Sequence, residues 1–142
     1  MRTALRVALG VAVLAAAGQT AARAEPAAPP CQGPLQRKEV ADLLFGRDIG
    51  HRTGVSEAAW SRFVAREITP RFPDGLTIIN AVGQWRDRAT GTIVREPAKQ
   101  VEIVLPGGDD DDARLAAIAA AYKRAFRQHA VGVIVRSACV SF

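Results

Sequence analysis

Seven residues carry the chemistry that this sequence offers: Arg47, Asp48, Trp85, Arg86, Arg95, Glu96 and Lys99. Arg47-Asp48 follows the apolar stretch Leu43-Leu44-Phe45. Gln84-Trp85-Arg86-Asp87 and Arg95-Glu96 flank a short segment containing Gly91. A hairpin there brings Trp85 and Arg86 near Arg95 and Glu96, with Lys99 across from them. Guanidinium groups bind carboxylates and phosphates through paired hydrogen bonds and lie over indole rings. The group can therefore hold a small anionic or planar ligand. The same residues also serve as ordinary cross-strand ion pairs, with Trp85 capping the core edge, and that arrangement needs no ligand.

Other motifs have simpler explanations. Gly54-Val-Ser56-Glu-Ala58 approaches the Gly-x-Ser-x-Gly nucleophile elbow. It lacks the last glycine, follows a loop rather than a strand and has no evident histidine partner. Ser56 reads instead as a helix N-cap. Gly107-Gly-Asp-Asp-Asp-Asp112 lacks the alternating ligands and closing glutamate of a calcium loop, and suits the positive end of a helix dipole. His129 ends the second helix, where an imidazolium is favoured; His51 lies in a glycine-bordered loop of the kind that carries function. No phosphate-binding loop, dinucleotide fingerprint, haem-attachment or zinc-protease motif occurs. No catalytic set, metal or cofactor is expected from these residues.

The elements that position the candidates follow from periodicity. Arg37–Phe45 reads as a strand, and Gly46–Gly54 as a loop. Ser56 caps a helix whose apolar face is Trp60, Phe63, Val64 and Ile68, ending at Thr69-Pro70. Leu76–Trp85 is a second strand, with Gly83 marking a bulge or a close backbone approach. After a loop at 87–91, a short strand Thr92–Glu96 is expected to break at Pro97, and Lys99–Leu105 forms a further strand. A second helix buries Leu115, Ile118, Ala119, Tyr122 and Phe126, and Val131–Val140 is the last strand. The order β-α-β-β-(β)-α-β, with right-handed crossovers, gives an α+β ferredoxin-like plait: an antiparallel sheet with both helices on one face. The other sheet face is left to solvent, a dimer partner or a ligand.

The first 24 residues set the compartment. Met1–Arg6 is basic, Val7–Gly18 is apolar and uncharged, and Ala22-Arg-Ala24 offers a cleavage site: the layout of a secretory signal peptide. The apolar run is too short for a membrane span. Three of the 19 basic residues leave with it, so 16 remain against 14 acidic ones, and the formal charge falls from +5 to +2. That balance, and export itself, argue against a nucleic-acid partner. Residues 25–36 read as a flexible leader and 37–142 as one domain, periplasmic or secreted. In an oxidising compartment Cys31 and Cys139 suit a disulfide. Free thiols are the main alternative; a lipidated Cys31 lacks a lipobox, and a metal shared with His51 and His129 lacks ligand spacing.

Several segments together resemble one family. Leu44-Phe-Gly-Arg-Asp48, Val55-Ser-Glu-x-x-Trp60, Thr69-Pro-Arg-Phe-Pro-Asp-Gly-Leu-Thr77, Gly83-Gln-Trp-Arg-Asp87, Ile93-Val-Arg-Glu-Pro97 and Cys139-Val-Ser-Phe142 are similar to exported bacterial proteins grouped as domain of unknown function 3574. The resemblance runs from about Cys31 to Phe142. It implies a single exported domain with an N-terminal cysteine paired to a C-terminal one, and brings no activity or site residues. Three functions stay open at this point. One is a non-catalytic ligand-binding or accessory module. Another is a small cofactor-independent enzyme of lyase, isomerase or monooxygenase type, acting as a homodimer through the open sheet face. The third is an envelope structural or interaction protein.

Overall fold

A computed structural model describes residues 29–50, 52 and 54–142. The expected signal peptide, the start of the leader at 25–28, and His51 lie outside the described residues. The elements are β1 (Gln36–Gly46), α1 (Glu57–Phe63) continuing into a π-helical turn (Val64–Ile68), β2 (Thr77–Arg86), β3 (Ile93–Val104), α2 (Asp111–Phe126) and β4 (Gly132–Val140). All strand pairs are antiparallel, in the order β2-β3-β1-β4. This is the expected plait, with β1 and β3 central.

Local chemistry explains the helix ends. Ser56 Oγ accepts the Ala59 amide at 3.2 Å, satisfying one of the free donors of α1. In α2, Asp111 Oδ2 accepts the amides of Gly107 and Gly108 at 2.8 and 3.0 Å, folding the acidic turn onto the helix start. Among the described residues no group of three metal-binding side chains occurs there or elsewhere.

One expected break is absent. β3 runs unbroken from Ile93 to Val104, with Pro97 paired to Val82. The Pro97 carbonyl accepts the Arg47 amide at 3.0 Å, so it points toward β1. Within an extended residue the amide and carbonyl share a side. The donor that proline lacks therefore falls where the β1 ladder ends, beyond the last pair Gly46↔Ala98, and costs no sheet bond. Nor is there a bulge at Gly83, which keeps register with Glu96.

The core lies between the sheet and both helices. Ala41, Leu43 and Phe45 of β1, and Val101 and Ile103 of β3, meet Trp60, Phe63, Leu115, Ile118 and Tyr122. Phe45 is at the centre of an aromatic cluster, its ring 4.7 Å from Tyr122 and 5.1 Å from Trp60 in edge-to-face contacts. Val64, half-buried, and Phe126 pack on its margin.

Cys31 and Cys139 form a disulfide, with Cα atoms 5.6 Å apart and a sequence separation of 108. It ties the segment ahead of β1 to the edge strand β4. Among the described residues, no helix is long and apolar enough to cross a membrane.

Tyr122 shows how the core reaches the loop after β1. Its hydroxyl donates to the Gly46 carbonyl at 2.8 Å. Burial pushes its phenol well above the ordinary 10.0, with Arg47 opposing and Glu96 reinforcing the shift. An acid whose folded value is raised keeps its proton where the unfolded chain loses it. Its stabilising contribution is complete below pH 10 and declines as pH rises above that. Because Tyr122 is the chain's one tyrosine, phenolate absorbance reads it directly. In an alkaline titration of the native protein, the phenolate band is expected to appear only with loss of near-ultraviolet circular dichroism. A band rising near pH 10 in protein that is still folded contradicts this burial.

Candidate functional site

The face of the sheet away from the helices carries a cavity of about 490 Å3, where β1 ends and β4 begins. Its existence follows from strand alternation. Pairing Gly83↔Glu96, Trp85↔Val94, Ala81↔Ala98 and Leu44↔Gly132 puts these residues on the outward face. Gly83, Ala98 and Gly132 are lining positions with no side chain beyond Cβ, so the sheet is bare between Trp85 and Leu44. A Cβ added at Gly83 would meet Ala98 and Glu96 only at ordinary contact distances, so the backbone does not require glycine there.

Over this floor stands a hydrogen-bonded trio. Glu96 Oε1 accepts the Trp85 indole N–H at 2.8 Å, and Oε2 accepts the Asp48 amide at 3.0 Å. One carboxylate thus fixes both the indole and the first turn of the loop after β1. The Asp48 carbonyl accepts Gln128 Nε2 at 2.6 Å, joining that loop to the end of α2. Asp48 Oδ1 is buried and has no hydrogen-bond partner among the described residues. Leaving a carboxylate oxygen desolvated and unpaired is costly, so it seeks a donor. Asp87, at the hairpin, also lines the cavity; its Oδ1 accepts the Ala89 and Thr90 amides.

Gly46 is where glycine is required. A Cβ there would sit 2.7 Å from Glu96 Oε1. Gly46→Ala is therefore expected to displace the carboxylate, release the Trp85 indole and cost about 1–3 kcal/mol in urea unfolding. The upfield return of the Trp85 indole N–H in an NMR spectrum checks the first effect. An unchanged resonance would remove Glu96 as its partner.

The seven candidates separate into three groups. Asp48, Trp85 and Glu96 converge on the cavity. Arg47 and Lys99 do not: both are buried on the helix side, bound to Glu57 at 2.6 and 2.9 Å. Arg47 also donates to the Val55 carbonyl, and Lys99 to Asn80, so they clamp the loop base and the start of α1. The Lys99 hydrogen bond, aided by the Arg47 charge and opposed by desolvation, holds the Glu57 carboxyl below its ordinary 4.5. Its contribution to stability is present at neutral pH and fades as pH falls through that lowered value. Arg86 and Arg95 line nothing in the cavity. They lie at register positions Arg86↔Ile93 and Gln84↔Arg95, one residue out of phase with Trp85 and Glu96.

The lining also contains residues that sequence reasoning did not assign to the site. Gln128 and His129, in the connection after α2, reach it, and so does Arg127, the C-cap, with φ of 53°; the helix stops at Phe126, so His129 does not end it as expected. Non-glycine residues seldom adopt that conformation. Gly83 carried a signal in being a glycine inside a strand; Ala98 and Gly132 carried none. Farther along the same face, buried Asp42 accepts from Gln100 Nε2 at 2.9 Å and from Arg136, which also binds Glu102 at 2.8 Å.

The fold and the cavity define a class: a plait with helices on one sheet face and, on the other, a recess of small-molecule size. The chain belongs to the family described as Protein of unknown function (DUF3574), whose model matches residues 40–142. No curated protein matches it. Solved structures that share the fold include two of one enzyme. One is a phage SAM lyase in complex with S-methyl-5′-thioadenosine, 16% identical, with TM-score 0.58, covering 83% of this chain and 97% of that one. The other is a phage SAM lyase in the apo state, 17% identical, with TM-score 0.54, covering 82% and 98%.

Proposed function

We propose that this protein is an exported small-molecule-binding module whose ligand seats in the cavity on the open sheet face, and that binding rather than turnover is its task. The observation that carries the reading is the Trp85–Glu96–Asp48 trio over a floor of Gly83, Ala98 and Gly132. The 490 Å3 recess falls within the ~300–1,000 Å3 usual for ligand sites. Both Glu96 oxygens are engaged by protein donors, which suits a positioning role better than proton transfer. The disulfide supports an oxidising address, and with it the signal peptide read in the first 24 residues.

The test is a metabolite screen by thermal shift on the chain from Glu25, followed by titration of each hit. A true ligand is expected to raise the melting temperature in the parent protein and to lose at least about tenfold in affinity in Ala98→Leu, which fills the floor. Hits that bind Ala98→Leu equally well would place the ligand elsewhere.

A second reading is a cofactor-independent lyase. It is favoured by the fold shared with phage SAM lyase, one structure of which holds S-methyl-5′-thioadenosine, and by the presence of a carboxylate residue, Asp48, in the lining. Incubation with SAM, followed by mass spectrometry for S-methyl-5′-thioadenosine, decides it. Product above the blank that disappears in Asp48→Asn establishes turnover; no product above the blank removes this reading for that substrate.

A further inference from the structure

We infer that the cavity takes a flat aromatic ligand carrying a cationic or strongly hydrogen-bond-donating group, and discriminates against an anionic one. This rests on the binding reading above and specifies the ligand class.

Shape comes first. Extended strands expose a nearly planar surface, and Gly83, Ala98 and Gly132 keep that surface low. Trp85 is half-exposed beside it, with its N–H held by Glu96. A fixed indole next to a bare sheet offers a ring two apolar contacts, one with the indole and one with the floor. A flat ligand uses both; a branched aliphatic one does not.

Charge comes second. Asp48, Asp87 and Glu96 all line the recess, against Arg127 and His129. Arg127 and His129 are both exposed, where solvent and salt screen their effect. Asp87 has its Oδ1 occupied by turn amides. The remaining acceptor capacity in the lining is that of Glu96, whose two oxygens each take one protein donor and keep a further lone pair, and of the Asp48 carboxylate beside it. These carboxylates can take further donors, which an ammonium, amidinium or protonated ring nitrogen brings. A ligand carboxylate or phosphate meets them as a like charge in a recess of reduced dielectric. The indole face likewise attracts cations and repels anions.

A matched pair of probes isolates the charge. Tryptamine and indole-3-propionate have the same ring and similar linkers, but end in an ammonium and a carboxylate. The readout is the indole N–H resonance of Trp85, assigned by its loss in Trp85→Phe and distinct from that of buried Trp60. Tryptamine is expected to shift it saturably, with indole-3-propionate at least about tenfold weaker at low salt. Glu96→Gln, which can still accept a hydrogen bond, is expected to cut that preference at least threefold, whereas Glu102→Gln, outside the cavity, leaves it intact. If indole-3-propionate shifts Trp85 as strongly as tryptamine, the ligand class is wrong and the binding site stands. If neither probe moves Trp85 up to its solubility limit, the aryl site and the binding reading both fall. A preference that is unchanged in both Glu96→Gln and Asp48→Asn overturns the assignment of its source.

Discussion

Replacing Cys139 with serine, or reducing the native protein, is expected to lower the thermal midpoint by roughly 10–25 °C. The bond links two positions separated by 108 in sequence, with β1, β2, β3, both helices and nearly all of β4 inside the loop. In the chain-entropy account, a crosslink over that length removes enough unfolded-state freedom to stabilise the domain by up to ~5 kcal/mol, and native disulfides in small exported domains contribute about 2–5. Each kcal/mol moves the midpoint of a domain near 100 residues by about 4–8 °C, and its upper sizes respond least. The position strengthens the expectation. β4 is an edge strand that pairs only with β1, and Cys139 is aligned with Arg37 near the start of that pairing. Urea unfolding should also show a steeper slope without the bond, because the released chain exposes more surface. A shift under about 1 kcal/mol, with an unchanged slope, would mean that the unfolded chain is not restrained by this link.

Phe45→Ala is expected to cost about 3–5 kcal/mol, enough to unfold much of the population in a domain of this size. Phe45 is fully buried, and its ring meets Trp60, Phe63 and Tyr122 at 5.1, 6.1 and 4.7 Å. Truncation leaves a void bounded by sheet on one side and two helices on the other, neither free to collapse. The neighbouring Leu44→Ala is the control. Leu44 is 41% exposed on the opposite face, so its loss should stay within ~1 kcal/mol while still widening the recess. Equilibrium unfolding of both variants separates the faces. Equal costs at the two positions would contradict the alternation assigned to β1.

How much was legible depends on which rule governs each residue. Ser56 was readable as a cap because the rule is local: a hydroxyl, a following Glu57, then apolar residues at helical spacing. The plait order was readable because the hydrophobic period changes at each element. The π-helical turn at Val64–Ile68 was not, since nothing in Val-Ala-Arg-Glu-Ile marks a shift from one hydrogen-bond register to the next; it shows in the bond from the Thr69 amide to the Val64 carbonyl, five residues back. Pro97 was over-read as a break, because its cost depends on which side its missing donor faces, and that is decided by where β1 ends.

The site divides along the same line. Trp85 and Glu96 belong together, and so does Asp48. Grouping Arg86 with Trp85 and Arg95 with Glu96 treated chain neighbours as spatial ones. In a strand, adjacent side chains point to opposite faces, and that period of two already separates each arginine from its acidic or aromatic neighbour. Arg47 and Lys99 were unreadable as loop clamps because their partner, Glu57, lies across an unpaired connection. The floor at Ala98 and Gly132 was invisible for a different reason: what matters there is the lack of a side chain at the meeting of three strands.

The central placement of β1 sets an order of events. It is made first and finds its partners last: β3 after the whole hairpin, and β4 after α2. Only β2 and β3 can pair through a short connection. Pairings so distant along the chain slow folding. As the ribosome delivers the chain, the first strand has no partner until β3 has emerged, its second edge stays open until the final strand follows, and Cys31 waits as long for Cys139. The crosslink can therefore close only once β4 has been made. Under the proposed export, a topology that completes only with its last strand would keep the chain open for passage.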